Sequence, residues 1–505
     1  MISKTEWKYT PSKPKEDAYA DIIPQLQSLA KNYQNLSISE QEEILEKMVN
    51  EIRKINIFPI IYFNEEGIKE EILSVYNKND VTFIDGGVYT QLRNGLLLLD
   101  FLFPNLHLAT TCNIKTPLYE RFFDDDVLKK CLHHYFTHNT SVHNMRTVFM
   151  SGGRFYWDTP INFAPMRAKV ICEHFCPTNG TIYDYSAGFG GRMLGALCSP
   201  KNFTYIATDP NTATYQNLLT LKDYICDTLN RPSNCCELYN LCSEQLCLAE
   251  DSIDFIFSCP PFFKKEKYSD EITQSTNNYP ILEDWLEQYV RPTIRHCFNA
   301  LKENGVYSVD IMNYYSSGKI IPLVKLWIGI AKEEGFYYKG AIPIASRMRK
   351  KEDDQKEFLY LFMKKQEYEL PDYTIDKTIL LQQQRKQAQE RAKYRKEHRL
   401  IGEYNIYGKL LQLVDYYNHH LGIDITTIKS LKNSPYNNKY YKIYYGDDIV
   451  SQQLTVKKPV CKIGDNYYLS YADAAKALGI SRQAVSAAHH RNSKQLNNSP
   501  VEWLK

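Results

Sequence analysis

Between about residue 160 and residue 365, short apolar runs alternate with amphipathic stretches of helical period. TIYDYS, FTYIATD, IDFIFS, GVYSVDI and FLYLFMKK read as strands, and helical patterning fills most of the gaps between them. Strands separated by helices predict a Rossmann-like, doubly wound α/β domain with a largely parallel sheet, spanning 151–370. Upstream the pattern changes. DIIPQLQSLAKNY and SEQEEILEKMVNEIRKI carry helical periodicity, while FPIIYF and VTFIDGG read as strands, so residues 1–150 are expected to form an α+β region. No chemistry is legible there. Downstream, LLQQQRKQAQERAKYRKEHRL predicts a basic linker helix within 376–400 that has almost no apolar face. It suits a solvated linker or an arm that contacts phosphates. Two small, mainly helical tail modules, 401–456 and 457–505, complete the organisation.

Composition narrows the class. Apolar content of 43% and charged content of 24% fit folded globular material, and 505 residues exceed one ordinary core. The net charge of +2 gives no overall attraction to nucleic acid, so any such affinity must come from local patches. Thirteen cysteines include no CxxC pair, so no metal site is expected. The opening MISKTEWKYTPSKPKED is polar, and no apolar stretch reaches the ~20 residues that span a bilayer. The expectation is a reduced, cytoplasmic protein without membrane contact.

The first strand of the α/β region runs into a turn with chemical potential. TIYDYSAGFGGRMLGAL places Asp184 at the strand end, then Ser186, Gly188, Gly190 and Gly191, then a helical run. Glycines here let the backbone approach a ligand, and the helix start offers unbonded N–H groups. A tight structural turn would look the same on its own. Support comes from a second strand, FTYIATDP, which ends in Asp209 about 20 residues on, an acid placed to bond a ribose diol. The D-x-x-x-G-x-G spacing resembles the first motif of class I S-adenosylmethionine-dependent methyltransferases, in the form used by DNA amino-methyltransferases. That resemblance implies S-adenosylmethionine as cofactor. It implies that Asp184 and the turn hold its methionine end, that Asp209 holds the ribose, and that Ser243 and Glu244 lie near the adenine. It also implies that Phe163 and Pro165, just upstream, sit near the methionine moiety. A solvated loop at Ser243–Glu244 and a Pro-stiffened packing loop at Phe163–Pro165 fit the residues as well.

The strand-like IDFIF then stops at SCPPFF. An aromatic amine has its lone pair delocalised into the ring, so methylating it requires acceptors that turn its N–H groups and aim that pair at a methyl donor. Prolines fix φ and remove competing donors, so a carbonyl beside them stays where it points. A following aromatic ring offers a stacking face to a flipped-out base. The run Cys259, Pro260, Pro261, Phe262 resembles the family's [S/D/N]-P-P-[Y/F/W] motif, about 75 residues after the glycine turn. The resemblance gives the Pro260 carbonyl the acceptor role and Phe262 the stacking role. Cys259 departs from it, because a thiol is a weak acceptor; Ser258 or water would have to serve instead. The whole stretch 155–365 is similar to DNA methylases carried by phages and mobile elements.

In the tail, YLSYADAAKALGISRQAVSAAHHRNSK predicts a helix at 471–478, a turn at Gly479, an N-cap at Ser481 and a second helix to about 490. Small apolar residues let the two helices cross closely, as in a helix-turn-helix. Arg482, Gln483 and Ser486 suit base edges, and His489 and Arg491 suit phosphates. The stretch resembles small modules at the C-termini of homing endonucleases. Together the motifs predict a methyltransferase acting on N6 of adenine or N4 of cytosine in double-stranded DNA, partnered in some settings by a cognate restriction nuclease. An inactive fold in a DNA-binding regulator, and a C5-cytosine methyltransferase using Cys259 as nucleophile, remain open. The oligomeric state is not legible.

Overall fold

The computed structural model describes residues 9–31, 33–79, 83–84, 87–89, 92–112, 116–138, 143–153, 160–316, 319–345, 357–370, 461–463, 466–468, 471–491, 493, 495–496 and 499–503. The expected linker helix at 376–400 and tail module at 401–456 lie outside the described residues. The chain divides into two compact units, Met1–Leu380 and Leu381–Lys505.

A nine-stranded sheet organises the first unit. Its strands, in chain order, are β1 (Phe83–Ile84), β2 (Gly87–Tyr89), β3 (Thr181–Asp184), β4 (Thr204–Thr208), β5 (Cys236–Tyr239), β6 (Ile253–Ser258), β7 (Leu301–Asp310), β8 (Tyr337–Ala345) and β9 (Phe358–Met363). Across the sheet they run β1-β2-β8-β9-β7-β6-β3-β4-β5. The run from β7 to β5 is parallel throughout, and β9 lies antiparallel between β7 and β8. This is the Rossmann-like doubly wound sheet expected from the alternation of strands and helices.

Both faces of the sheet are covered, which is why its strands read as near-continuous apolar runs. Phe255 and Phe257 of β6 pack into one core with Ile182, Leu194 and Leu221, whereas Ile256 joins Tyr183, Tyr307, Trp285 and Trp327 on the other face. The flanking helices include α1 (Pro165–Phe175), α2 (Gly191–Leu197), α3 (Thr212–Leu229), α4 (Arg291–Ala300) and α5 (Leu323–Glu333). The chain winds outward from β3 to β5, then returns to β6 beside β3. That reversal opens a crevice beyond the carboxyl ends of β3 and β6, where doubly wound sheets bind ligands.

The N-terminal region does not stand apart. Ile61, Val75, Leu98 and Phe103 belong to the same core as β3 and β6, and β2 pairs with β8 through Val88↔Ile344 and Tyr89↔Ala345. A boundary at residue 150 therefore cuts through a shared core. The rest of the region packs around Phe58, Phe122 and Phe149 with helices Ile38–Ile55 and Asp125–His138. The first of these helices starts at a capping box, in which Ser37 and Glu40 satisfy each other's backbone N–H groups. No helix among the described residues is long and apolar enough to cross a membrane.

The second unit, taken by itself, is more mixed than its helical pattern suggests. Helices Tyr471–Leu478 and Arg482–His490 accompany four short strands, Cys461–Ile463, Asn466–Tyr468, Gln495–Leu496 and Ser499–Trp503. Cys461, Ile463, Ala474, Ala475, Val485 and Ala488 form its core. Two helices this short bury too little on their own, and the sheet supplies the missing surface.

Candidate active site

The crevice at the strand reversal is a cavity of about 1330 Å³. Phe163, Ser186, Gly188, Asp209, Ser243, Glu244, Cys259, Pro260, Pro261 and Phe262 all line it. The structure thus gathers the glycine turn, the acid of the second strand and the diproline into one space. Pro165, Asp184 and Gly190 do not line it. Pro165 opens α1, where its missing N–H costs nothing.

Asp184 faces into the protein. Its carboxylate accepts from Arg192 Nε at 2.7 Å, Tyr205 Oη at 2.6 Å, Ser258 Oγ at 2.7 Å and the Ser186 N–H at 3.2 Å. These donors come from α2, β4, β6 and the turn itself, so Asp184 fastens the turn to three elements. With its oxygens so engaged, and the residue fully buried, it holds the scaffold rather than a ligand. Ser258 is likewise committed and fully buried, which removes it as a substitute acceptor for Cys259.

The turn is built for close approach. Gly190 has φ of 74° and a Cβ there would lie 2.8 Å from Phe103. A Cβ on Gly191 would lie 2.1 Å from the Phe163 carbonyl oxygen, so α2 and the Phe163 loop touch backbone to backbone. Asn162 Nδ2 donates to the Phe189 carbonyl at 2.7 Å and locks that contact. The Phe163 ring meets Phe257 edge-on at 5.4 Å.

Asp209 sits at the mouth of the turn. Its oxygens accept from the backbone N–H groups of Gly188 at 2.9 Å and Asn211 at 3.0 Å. Burial pushes its carboxyl up to about 6, and those two N–H groups restrain the rise. Ser243 is bonded to Thr293 through its hydroxyl at 2.8 Å. Among the described residues no partner meets Glu244 Oε2, in a carboxyl that Tyr279 also approaches, or Gln274 Nε2; one is an acceptor and the other a donor, and both residues line the cavity. Burial raises the Glu244 carboxyl. An unpaired acceptor and an unpaired donor match the amino group and ring nitrogen of an adenine. Gln274 carried no signal in the sequence, because it sits in a loop whose closure is tertiary. Glu271 in that loop accepts from Thr212 at the start of α3, and Cys242 Sγ donates to the Thr273 carbonyl at 3.2 Å.

At the diproline, no donor among the described residues reaches the Pro260 carbonyl. Phe262 stacks on Tyr314 with centroids 6.4 Å apart, and Lys265 Nζ lies 5.1 Å from its ring centre. Half-buried Cys259 has its thiol pushed well up, by burial first and then by Asp310. Such a thiol is a poor nucleophile, because the reactive form is the thiolate. Asp310 ends β7 and lines the cavity, and the sequence reading missed it. Its signal was the acid at the end of GVYSVDI. Further lining comes from the N-terminal region, including Asp100, His107, Asn144 and Arg146, with Arg146 Nε bonded to Asp100 at 2.8 Å. Among the described residues no group of His, Cys, Asp and Glu is arranged to hold a metal ion.

In the tail, Ser481 caps its helix by accepting from the Ala484 N–H at 3.2 Å, and Gly479 takes φ of 65° at the turn. Arg482 and Gln483 are exposed and Ser486 is half-buried. His489 is engaged within the module: its ring bonds the Tyr471 hydroxyl at 2.6 Å and packs on Trp503. Arg491 is exposed, and its Nε donates to the Ala487 carbonyl at 3.2 Å.

No protein-family model and no curated protein matches the chain. Among solved structures it is similar to a TehB-like SAM-dependent methyltransferase from Corynebacterium glutamicum, at 13% identity over 41% of this chain and 90% of that one, with a TM-score of 0.26. It is similar to geranyl diphosphate C-methyltransferase from Streptomyces coelicolor, crystallised with S-adenosyl-L-homocysteine, at 9% identity over 39% and 77%, TM-score 0.28. TrmN from Thermus thermophilus gives 14% identity over 40% and 49%, TM-score 0.26. The fold rests on the strand order and the reversed β9, not on these likenesses.

Proposed function

We propose that this chain is an S-adenosylmethionine-dependent methyltransferase that modifies an exocyclic amine of a base in DNA. The observation that carries this reading is the shared cavity, in which the glycine turn and Asp209 lie in one space with Cys259–Phe262. Bound there, S-adenosylmethionine supplies an electrophilic methyl group on sulfur. Asp209 takes the ribose hydroxyls, Glu244 and Gln274 take the adenine edge, and the loop at Phe163 with Ser186 and Gly188 takes the methionine end. The cavity volume exceeds what a cofactor of that size fills, and the remainder, walled by the N-terminal region, suits a base turned out of its stack.

The Pro260 carbonyl accepts one N–H of the target amine, and Phe262 offers its ring face once Lys265 swings aside. The high thiol of Cys259 supports amine chemistry over C5 methylation, which needs a thiolate. DNA is favoured over RNA by Arg482 and Gln483, exposed on the second tail helix, whose side chains suit base edges in a major groove. The test uses the full chain, labelled S-adenosylmethionine, and unmethylated duplex DNA, single-stranded DNA and RNA in parallel. Label on an N6-methyladenine or N4-methylcytosine nucleoside is the expected result. Binding of DNA without transfer would point to a silent fold, and label on RNA alone would replace the substrate.

A further inference from the structure

We infer that the Asp310 carboxylate replaces the side-chain acceptor that Cys259 cannot supply, bonding the second N–H of the target amine and receiving its proton after methyl transfer. This rests on the amine-methyltransferase reading above and assigns a catalytic residue to that site.

Placement comes from strand register. In the parallel pair β6 and β7, Val309 lies opposite Ser258, so Asp310 continues beside Cys259 at the mouth of the same two strands. Both residues line the cavity with Pro260 and Phe262. Apart from the Cys259 thiol, no donor among the described residues bonds the Asp310 carboxylate, so it keeps acceptor capacity for a ligand. That contrasts with Asp184, which is saturated by protein donors.

The charge environment keeps the group usable. Burial raises the Asp310 carboxyl to about 6 and Glu357 adds to the rise, whereas Arg167, Arg192 and Cys259 restrain it. Asp310 in turn adds to the upward shift of the Tyr360 hydroxyl, on the adjacent β9. Arg167 is itself bonded to Glu357 at 2.8 Å. At neutral pH the carboxylate is ionised, yet it is more basic than an ordinary aspartate and accepts a proton more readily. In the transfer, the amine nitrogen forms the new N–C bond as the C–S bond breaks, the bonding pair staying on sulfur. The nitrogen, positively charged at that point, gives its proton to Asp310, which passes it to water.

The experiment compares wild type with Asp310→Asn, Cys259→Ser and the double variant Cys259→Asp/Asp310→Asn. The readouts are methyl transfer to duplex DNA, S-adenosylhomocysteine affinity, the pH profile and the melting temperature. Asp310→Asn is expected to lose about 100-fold in transfer, with cofactor affinity within about threefold by the same token of an intact fold. It should melt at or above wild type at pH 8, because it removes a buried charge. Cys259→Ser, which sets a stronger acceptor beside Asp310, should raise transfer. Returning a carboxylate at 259 should recover at least about tenfold of what Asp310→Asn lost. Wild-type activity should fall below a pH of about 6, and that limb should vanish from the residual activity of Asp310→Asn. Near-wild-type transfer by Asp310→Asn, or a lost fold with no rescue by Cys259→Asp and no acid limb in wild type, overturns the inference alone. No transfer by wild type to any nucleic acid overturns this inference together with the function beneath it.

Discussion

Replacing Gly191 with alanine tests the contact on which the cofactor half of the cavity depends. The added Cβ would stand 2.1 Å from the Phe163 carbonyl oxygen, 2.7 Å from Asn162 Oδ1 and 3.0 Å from the Phe163 carbonyl carbon. Ordinary contact begins near 3.4 Å, so the Phe163 loop or the start of α2 must retreat by more than 1 Å (3.4 minus 2.1). The loop cannot retreat alone, because Asn162 is bonded to Phe189 inside the glycine turn. Strain of this kind costs about 1–3 kcal/mol, offset in part by alanine's better helix propensity of roughly 1 kcal/mol. Global stability therefore falls by no more than about 2 kcal/mol, on the scale of overpacked cores. Function should suffer more, since a 1 Å misplacement of positioning groups can cost about 100-fold. Calorimetric titration with S-adenosylhomocysteine, beside a thermal melt, separates the two effects. Affinity within threefold of wild type in a folded Gly191→Ala protein would refute the claim that the Phe163 loop and the turn form one binding surface.

Asp184→Asn should destabilise the fold by about 3 kcal/mol or more, since it strips Arg192 of its buried counter-charge and leaves Tyr205 and Ser258 donating to a weaker acceptor; a loss below about 1 kcal/mol in urea titration would contradict its scaffold role. Stability should also depend on pH through Asp209 and Asp310. Their native carboxyls titrate near 6 against an ordinary 3.8, so between those values the folded state holds more protons and stability falls as pH rises, levelling above about 6. A gap of about two units corresponds to ~3 kcal/mol for each group, and urea titrations from pH 4 to 8 on single Asn variants would show whether that slope disappears. Arg482→Ala with Gln483→Ala should weaken duplex binding by the full chain while leaving S-adenosylhomocysteine affinity unchanged, measured by fluorescence anisotropy; unchanged DNA affinity would remove the tail from recognition.

What could be read from the sequence tracks how local each signal is. β3, β4, β6 and β9 announce themselves because buried parallel and central strands are continuous apolar runs. β8 escaped notice: Gly340, at φ of 113°, sits where its register with β9 shifts, and Pro343 interrupts the run near the sheet edge. The strands flanking the tail helices are two to five residues each, too short for periodicity to register. Within the site, motif spacing pointed to the turn, Asp209 and the diproline, and they share one crevice because the reversal of strand order forces the ends of β3 and β6 together. Spacing could not say which way a strand-end acid points. Asp184, read as a ligand-binding group, is turned inward and saturated, while Asp310, at the equivalent end of β7, opens onto the cavity. Register decides between them: Asp310 falls beside Cys259 because Val309 pairs with Ser258, a fact no single strand carries. The N-terminal wall was hidden for the same reason, since Asp100, His107 and Arg146 converge only after helices distant in sequence have packed. The weak acceptor at Cys259 thus looked like a defect in the motif when read along one strand, and reads as half of a pair once the neighbouring strand is in place.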